Sequence, residues 1–580
     1  MEENQFKGGA VMKKILILVL CIAVLMTAFF AGCSKTDDGS KDTTRPTREI
    51  GGTLTVGIIE ASGNFNPVYY SSAYDGYVVD LVFEGLIDLN FDGEYEGIVA
   101  ESWEYSNDDK TITFKMKKDR VFSDGTPLTA EDVVFTYTVL ADPSYTGRYG
   151  ETVVDMVGYD EFVAGDTDVF EGVKAVDDYT VEFNFKEALR PNFENCGFAI
   201  MPKHYYGKDY TVGDTSSIEA LSSSPIGSGP YVLSQFKDKE LVYLVRSDKY
   251  PDKTSYAIED IILKFVDLTT DIVELTTGNV DLLAGQIEPQ KISEARNAGF
   301  SINEYPRSGY GYVKTNCEWG PTTDPKVRQA LYYSFNVKEF VNSFYYDADT
   351  DTVLATTQYH PFSQVSWAID DKILGDMTEY DFDLEKAKSL LDEAGWKLNA
   401  QGQREKDGTI MELNIAAMPD HSILDTLIPM WERDWGQGLG IKLNIAYLEF
   451  NTILDYVIYN SDANVDKWSL FFLATSITTP DPHTMYTSFH SDYIGNEQNN
   501  TSRYSNPEVD KLFDEAKTIM EIEDAKPLYQ QIAKILNEEA VMMPVYANTY
   551  FDLYHSKLKN FNTSSLYNWV KAMKDAYIEE

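Results

Sequence analysis

The one long apolar run of this sequence lies near its start. Ile15–Phe30 is almost entirely apolar, follows Lys13 and Lys14, and is followed by Ala31-Gly32-Cys33. A basic segment, an apolar stretch of this length and small residues after it are typical of a secretory signal peptide rather than a membrane span. No second apolar stretch of comparable length follows. We therefore predict that residues 1–33 are a signal segment and that the remaining chain folds in water.

The residues around Cys33 resemble a known processing motif. A cysteine directly after Ala-Gly resembles the lipobox of bacterial lipoproteins, in which cleavage precedes the cysteine and the cysteine is then acylated. The usual pattern has leucine three residues before the cysteine, where this chain has Phe30. The resemblance implies that Cys33 is a lipid anchor and that the polar residues 34–50 form a flexible tether. The alternative is an uncleaved signal anchor in which Cys33 is an ordinary cysteine.

The charge and the cysteines exclude several classes of protein. The chain has 93 acidic and 49 basic residues, a net charge of −44. Such a charge repels nucleic acid, so a partner held through its phosphate backbone is excluded. Besides Cys21 in the apolar run, the cysteines are Cys33, Cys196 and Cys317, with no CxxC pair and no Cys/His metal spacing. A bridge between Cys196 and Cys317 stays open, and neither a metal nor a cofactor is expected.

The sequence after the predicted signal segment indicates a mixed α/β fold built from several lobes. At roughly 550 residues it is too long for one hydrophobic core. Short strand patterns such as Gly51–Ile58 and Ile441–Ile445 alternate with helix patterns. Asp324-Pro325 and Asn506-Pro507 each place a capping residue before a proline, which is typical of a helix start.

Five stretches, in this order, resemble the extracellular solute-binding proteins of bacterial peptide importers, the family 5 branch that includes oligopeptide, dipeptide and nickel-chelate binders. They are Glu101–Pro143, Ser224–Phe236, Asp324–Val341, Tyr380–Trp396 and, more weakly, Ser502–Ala516. The first stretch, which contains FSDGTPLTAEDVVFTYT, is the most specific. The helix and turn residues in these stretches identify the family and are predicted to be structural.

The resemblance implies a periplasmic-binding-protein-like α/β fold of type II, the Venus-flytrap form, with two hinged lobes and an additional insert lobe. The implied lobes are residues 51–82, 191–306 and 545–580 for lobe I, 83–190 for the insert lobe II, and 307–544 for lobe III. The hinge would lie at Gly309, Gly311 and Pro544, where the chain crosses between lobes I and III.

The resemblance also implies the function. A lipid-anchored, monomeric substrate-binding protein would capture oligopeptides by lobe closure and deliver them to the permease of an ABC importer. It would lie on the extracellular face of the bacterial cytoplasmic membrane, or in the periplasmic space of a diderm cell. The alternatives are a nickel-chelate or other solute binder of the same fold, and a receptor for a signalling peptide. No HExxH, GxSxG or Cys-His spacing is present, so no catalysis is expected.

Three segments are predicted to form the ligand cleft. The first follows the opening strand, where open α/β sheets bind ligands, the second lies just past the first crossing, and the third is Ala474–His483. The predicted contacts are Asn66, Tyr69, Tyr310, Asn316, Trp319, Thr478 and Asp481.

Thr478 departs from the family pattern. Members that fix a peptide's free amino terminus often have an acidic residue three positions before an Asp-Pro pair, and a threonine cannot make a charge-assisted bond to an ammonium group. Either Asp481 or another carboxylate takes that role, or the amino terminus is not fixed there. Asp481 is equally typical of a turn or helix cap ahead of Pro482.

His483 and His490 are the residues that could support the alternative of a nickel-chelate binder. Seven residues apart on a straight helix, they would share a face but lie about 10 Å apart along the axis. That separation is too large for one metal ion, so the sequence favours histidines with no metal between them.

Overall fold

The computed structural model describes residues 50–579 except Ser71, Asp420, Thr478 and Glu497. The predicted signal segment, Cys33, almost all of the tether and the predicted contact Thr478 therefore lie outside the described residues. Within this described range, no helix is both long enough and apolar enough to cross a membrane.

Short strands are spread over the whole chain, and most of the long ones join a single sheet. The strands are β1 Thr53–Ile58, β2 Ile87–Leu89, β3 Tyr95–Gly97, β4 Ala100–Ser106, β5 Thr111–Met116, β6 Val173–Asp177, β7 Thr180–Asn184, β8 Tyr231–Lys237, β9 Leu241–Arg246, β10 Asp260–Phe265, β11 Leu282–Gln286, β12 Ser301–Pro306, β13 Gly311–Thr315, β14 Tyr346–Asp347, β15 Thr352–Val353, β16 Ala355–Thr356, β17 Lys397–Leu398, β18 Arg404–Lys406, β19 Thr409–Ile410, β20 Glu412–Ala417, β21 Lys442–Tyr447, β22 Leu470–Ala474, β23 Met542–Tyr554, β24 Leu558–Lys559 and β25 Tyr577–Ile578.

The large sheet has the order β21-β20-β22-β13-β23-β11-β1-β10-β9-β8, and β12 and β16 also pair with β23. A separate four-stranded antiparallel sheet, β4-β5-β7-β6, is formed by the N-terminal part of the chain. Parallel pairs such as β1 with β10 and β20 with β21 occur beside antiparallel ones. The mixed pairing agrees with a chain in which strands and helices alternate.

Strand β23 belongs to both halves of the large sheet. Its first residues pair with β13, from Met542 opposite Lys314 to Tyr546 opposite Gly311. Its last residues pair with β12 and β11, starting at Thr549. The chain therefore crosses between the two halves at residues 307–310 and returns at residues 547–548.

This register corrects one predicted hinge residue. Pro544 lies inside the ladder with β13, opposite Tyr312, and so belongs to one half of the sheet. Gly309 lies in the first crossing, and Gly311 begins β13 directly after it. Because Tyr546 is still paired with Gly311 of β13, the return at residues 547–548 falls three or four residues after the predicted Pro544.

The helices pack on both halves, and proline or a short polar side chain starts several of them. They are α1 Ala73–Val82, α2 Ala130–Leu140, α3 Tyr159–Val163, α4 Asn192–Asn195, α5 Lys203–Tyr206, α6 Ser216–Glu219, α7 Asp271–Thr276, α8 Pro289–Asn297, α9 Pro325–Ser334, α10 Val337–Phe344, α11 Asp371–Asp376, α12 Leu384–Glu393, α13 Ser422–Trp431, α14 Phe450–Leu454, α15 Tyr486–Phe489, α16 Pro507–Lys517, α17 Ile522–Glu538 and α18 Trp569–Ala572.

The predicted helix starts are confirmed by their caps. The Asp324 side chain accepts from the Lys326 N–H at the start of α9, and the Asn506 side chain accepts from the Glu508 N–H at the start of α16. In both helices proline occupies the first position, where no main-chain donor is needed.

Buried apolar side chains form several cores, and one of them continues across the crossings, since it contains Leu283 and Phe551 as well as Leu427. One core joins β1, β5, α2 and the C-terminal helix, and includes Leu54, Phe114 and Trp569. A second surrounds β20 and α13, and a third lies under α16 and α17, with Phe513 and Tyr529 at its centre. The third core and the crossings border the candidate site.

Candidate functional site

Two of the three predicted cleft segments meet at a cavity of about 170 Å³. Strand β13, the loop after β22 and the start of β23 form its walls. Its lining residues are Tyr310, Tyr312, Lys314, Thr475, Ser476, Ile477, Thr484, Met485, Ser488 and Met542. Tyrosine and methionine combine apolar area with adaptable shape, and the hydroxyls add hydrogen-bonding groups, as in many ligand sites.

Lys314 is a buried cation in this cavity and was not predicted from the sequence. It is 4% exposed, and its Nζ donates to Thr501 Oγ1 at 2.9 Å. The rings of Phe489 and Tyr312 have their centroids 5.6 and 5.8 Å from Nζ. Among the described residues, no carboxylate lies within salt-bridge distance of it. Burial lowers the pKa of Lys314 to about 8.

Arg307 is a second buried cation, placed at the crossing itself. Its main-chain N–H donates to Asn548 O at 3.0 Å, which bonds the two crossing segments to each other. Its Nη2 donates to Thr475 O at 2.8 Å, on the cavity wall. The guanidinium lies over the Tyr550 ring at 5.2 Å and forms no ion pair with a carboxylate of the described chain.

Gly309 and Gly311 are required by close contacts around the crossing. A Cβ on Gly309 would overlap Thr475 O, and one on Gly311 would overlap the Tyr546 ring. Neither glycine has a positive φ. Their role is therefore to let the backbone and the ring approach closely, and not to supply a positive φ.

Arg190 connects the N-terminal part of the chain to the third core. Its guanidinium forms an ion pair with Asp481, and its Nη2 donates to the Tyr529 hydroxyl at 2.8 Å. The same group lies over the Trp367 ring at 5.0 Å. The side chains of Arg190 and Asp481 are only 9% and 16% exposed, so the pair is largely shielded from solvent.

Asp481 is therefore occupied by groups of the protein. Besides Arg190 it accepts from the His483 N–H at 2.8 Å, capping the turn Pro482–Met485. The cap was one of the two interpretations that the sequence left open. In this conformation no free carboxylate is presented by Asp481 to a ligand amine.

Glu194 is another carboxylate of this region that the sequence did not reveal. Burial raises its pKa, while hydrogen bonds from Tyr95 and Thr479 and the charge of Arg190 act in the opposite direction. It lies on α4, far from the predicted segments in sequence. Nothing in the local pattern distinguishes it from the other acidic residues of the chain.

Asn66 and Asn316 are bound to the protein's own main chain and are not among the residues that line this cavity. Both are fully buried. Asn66 Nδ2 donates to Ile218 O at 3.1 Å, and Asn316 Nδ2 donates to Val465 O at 2.8 Å and Trp468 O at 3.1 Å. The geometry gives no support to either as a ligand contact, because their polar atoms are already paired.

The other predicted contacts divide between the cavity and the core. Tyr310 lines the cavity but is fully buried, with its hydroxyl donating to Pro361 O. Tyr69 lies apart, where its hydroxyl donates to Thr215 Oγ1 at 2.7 Å. Trp319 is half-buried, and its main-chain N–H donates to Asn316 Oδ1 at 3.1 Å.

The two histidines do not share a straight helix. His483 lies in the turn before α15 and His490 at its end, and both rings pack against Tyr486. Burial lowers the pKa of His483 to about 3. In the part of the chain that is described, no three His, Cys, Asp or Glu side chains are grouped so that they could hold a metal ion. Cys196 and Cys317 are both free.

Comparison with known proteins agrees with the sequence motifs. The family model for bacterial extracellular solute-binding proteins, family 5 (middle region), matches residues 94–497. The oligopeptide-binding protein AppA of Bacillus subtilis (strain 168) is 26% identical over 568 residues, which cover 95% of this chain and 98% of AppA.

Solved structures show the same fold. AppA from Bacillus subtilis in complex with a nonapeptide matches with a TM-score of 0.75 and 23% identity, over 92% of this chain and all of that chain. NikZ from Campylobacter jejuni in complex with Ni(L-His) matches with a TM-score of 0.73 and 22% identity, over 90% and 97% of the two chains. The predicted periplasmic-binding-protein fold of mixed α/β class is thereby confirmed. Because the family model covers more than half of the sequence, the chain belongs to the bacterial extracellular solute-binding proteins, family 5.

Proposed function

We propose that this protein captures oligopeptides outside the cell and delivers them to the permease of an ABC importer. The observation that carries the proposal is the cavity between β13 and the loop after β22, beside the crossings, with tyrosine, methionine and hydroxyl side chains on its walls. Such a lining adapts to varied side chains while main-chain groups hold an extended peptide. The likeness to an oligopeptide-binding protein over nearly the whole chain supports this class of ligand.

The mechanism is lobe closure about the two crossings. Lobe I would comprise residues 51–82, 191–306 and the C-terminal segment from about residue 547, lobe II residues 83–190, and lobe III the residues between the crossings. A ligand that contacts both sides binds the closed form more tightly than the open form and so shifts the population toward it. The Arg190–Asp481 pair would form on closing, because its members belong to different sides.

The amino terminus of the peptide is not held by Asp481, whose carboxylate is occupied. Acetylating that terminus should therefore weaken affinity by well under 3 kcal/mol, roughly the value of a buried charge pair. A larger loss would mean that a buried carboxylate binds the amine. Glu194→Gln would then show whether Glu194 is that group.

The proposed anchor and setting rest on the family and on the predicted signal segment. Acylation of Cys33 would hold a monomer at the extracellular face of the cytoplasmic membrane, facing its permease. No group of the site is assigned to catalysis, so peptides should be recovered intact. Replacing Cys33 by serine should release the protein from the membrane fraction without changing peptide affinity.

Native mass spectrometry of the purified protein, followed by denaturation, tests the proposal directly. A set of mixed peptides of similar length is the expected result. A single peptide species would instead indicate a signalling receptor. A metal chelate or another non-peptide mass would refute peptide capture while leaving the fold assignment unchanged.

A further inference from the structure

Two buried cations beside the cavity have no anionic partner in the described chain, although acidic residues outnumber basic ones almost two to one. Lys314 Nζ donates one hydrogen bond, to Thr501, and its other two protons have no acceptor among the described residues. Arg307 bonds main-chain and amide oxygens, and its Nε has no hydrogen-bond partner in the described structure. A buried charge without a counter-charge is unfavourable, so an external anion would stabilise this arrangement.

The position of Lys314 distinguishes it from a lysine that merely supports the fold. It lies on the cavity wall, and hydroxyl-bearing residues Ser476, Thr484 and Ser488 line the same cavity. Arg307 holds the Thr475–Ser476 segment from outside through its bond to Thr475 O. A cavity lined by an ammonium group and several hydroxyl groups is a suitable environment for a carboxylate, which accepts several hydrogen bonds at once.

We propose that this cavity is a carboxylate subsite, in which Lys314 binds a carboxylate of the bound peptide and thereby selects for acidic ligands. The inference rests on the proposed peptide-binding function and adds a preference to it. A cavity of about 170 Å³ has room for roughly six water molecules, and therefore for one residue rather than a whole peptide. The carboxylate comes either from an Asp or Glu side chain or from the peptide's C-terminus.

The preference for acidic peptides arises mainly because binding a peptide without a carboxylate at this position is unfavourable. A peptide that places an amide or an apolar group here leaves the ammonium buried and unpaired, and one that places a lysine here adds a like charge. The acidic peptide should therefore bind about 10- to 100-fold more tightly than its glutamine isostere, the usual range for a charge-assisted bond.

Calorimetric titration of the full chain with matched peptides tests the inference. The probes are N-acetylated alanine pentapeptides carrying Glu, Gln or Lys at each position in turn, each with a free or an amidated C-terminus. A Glu-over-Gln preference at one position identifies a side-chain carboxylate, and a loss confined to C-terminal amidation identifies the terminal one. If no carboxylate of any peptide improves affinity while the peptides still bind, the subsite is refuted but peptide capture stands. If no peptide binds, the proposed function fails with it.

Lys314→Met removes the charge while retaining the length of the side chain. The variant should lose the acidic preference and bind the glutamine and glutamate peptides equally. Lys467→Met, at a lysine that is 52% exposed in the same half of the protein, is the matched control and should retain the preference. A preference that survives in Lys314→Met would overturn the assignment.

The pH dependence of the wild type gives a measurement that needs no variant. Because the pKa of Lys314 is about 8, acidic peptides should bind roughly tenfold more weakly at pH 9 than at pH 7. Cys317, Tyr310 and Tyr312 are titratable groups beside it, and burial raises the pKa of each, which opposes their ionisation over this interval. Acetylation of the peptides removes the titration of their own amine. An unchanged affinity for acidic peptides between pH 7 and pH 9 would count against Lys314.

Discussion

The Arg190–Asp481 pair allows the closing motion to be tested quantitatively. The ion pair is largely buried, and Arg190 also bonds Tyr529 and lies over Trp367. In an open form both charges would be hydrated. Closing with Arg190 replaced by methionine buries the Asp481 carboxylate without its partner, which costs about 3 kcal/mol for a pair that is mostly but not wholly buried.

If ligand is bound by the closed form, this cost appears in the affinity. About 3 kcal/mol corresponds to roughly 100-fold weaker peptide binding in Arg190→Met, since each tenfold change is worth about 1.4 kcal/mol. Asp481→Asn should cost less, on the order of tenfold, because the guanidinium keeps its aromatic and hydroxyl neighbours. The double variant should bind more tightly than Arg190→Met, about as well as Asp481→Asn, because it leaves no unpaired carboxylate buried.

Calorimetry on the wild type, the two single variants and the double variant measures the coupling energy between Arg190 and Asp481 as a double-mutant cycle. Small-angle scattering with saturating peptide reports whether each protein still closes. Arg433→Met is the control, since Arg433 pairs with Glu339 where both side chains are almost half exposed, and it should change affinity less than twofold. Losses that simply multiply, to about 1,000-fold in the double variant, would refute the reasoning.

Three further predictions concern other parts of the structure. Gly309→Ala should lower the melting temperature and weaken peptide binding by about 1–3 kcal/mol, because the added methyl group overlaps Thr475 O. Gly375→Ala, where nothing lies within 4 Å, should change neither quantity, and equal effects of the two substitutions would contradict the packing argument. Asn316→Ala should reduce the free energy of unfolding in urea by about 3 kcal/mol, through lost buried hydrogen bonds, and leave peptide selectivity unchanged; a selectivity change would restore it as a ligand contact. Burial raises the pKa of Asp552 to about 6, so its contribution to stability is present at low pH and is lost as the pH rises through 6; Asp552→Asn should remove about 3 kcal/mol of the stability change between pH 4 and pH 7, and identical pH profiles would disprove this assignment.

Local structure could be predicted well because its causes lie within a few residues. The turn at Asn107–Asp109 joins the paired strands β4 and β5. Thr129 forms a capping box with Asp132 at the start of α2. In both cases adjacent side chains alone satisfy the main chain at a turn or a helix start.

The site could be located only to the level of segments. The segments around Tyr310 and Thr475 do form one cavity, but the choice of residues within them depended on which side chains the protein itself uses. Asn316 was a predicted contact, but its amide donates to main-chain oxygens of a loop about 150 positions away. Lys314 was not predicted, and no local signal separates it from the exposed lysines that are usual in proteins, because its burial depends on distant residues such as Thr501.

The hinge, like the site, could be located from the sequence only to the level of a segment. Proline and glycine near the crossings were recognised from the sequence, but the place of the return depends on the register between β23 and its partners. That register is fixed by side-chain packing on both faces of the sheet and not by any local signal.

The position of β23 has a consequence for how the protein folds. The strand Met542–Tyr554 completes both halves of the large sheet, and its partners include β11, which lies about 270 positions earlier. Neither half can be completed before this strand is in place, because the pairing is between residues far apart in the chain. The folding of the two halves is therefore coupled through one strand, and pairing over such distances is slow.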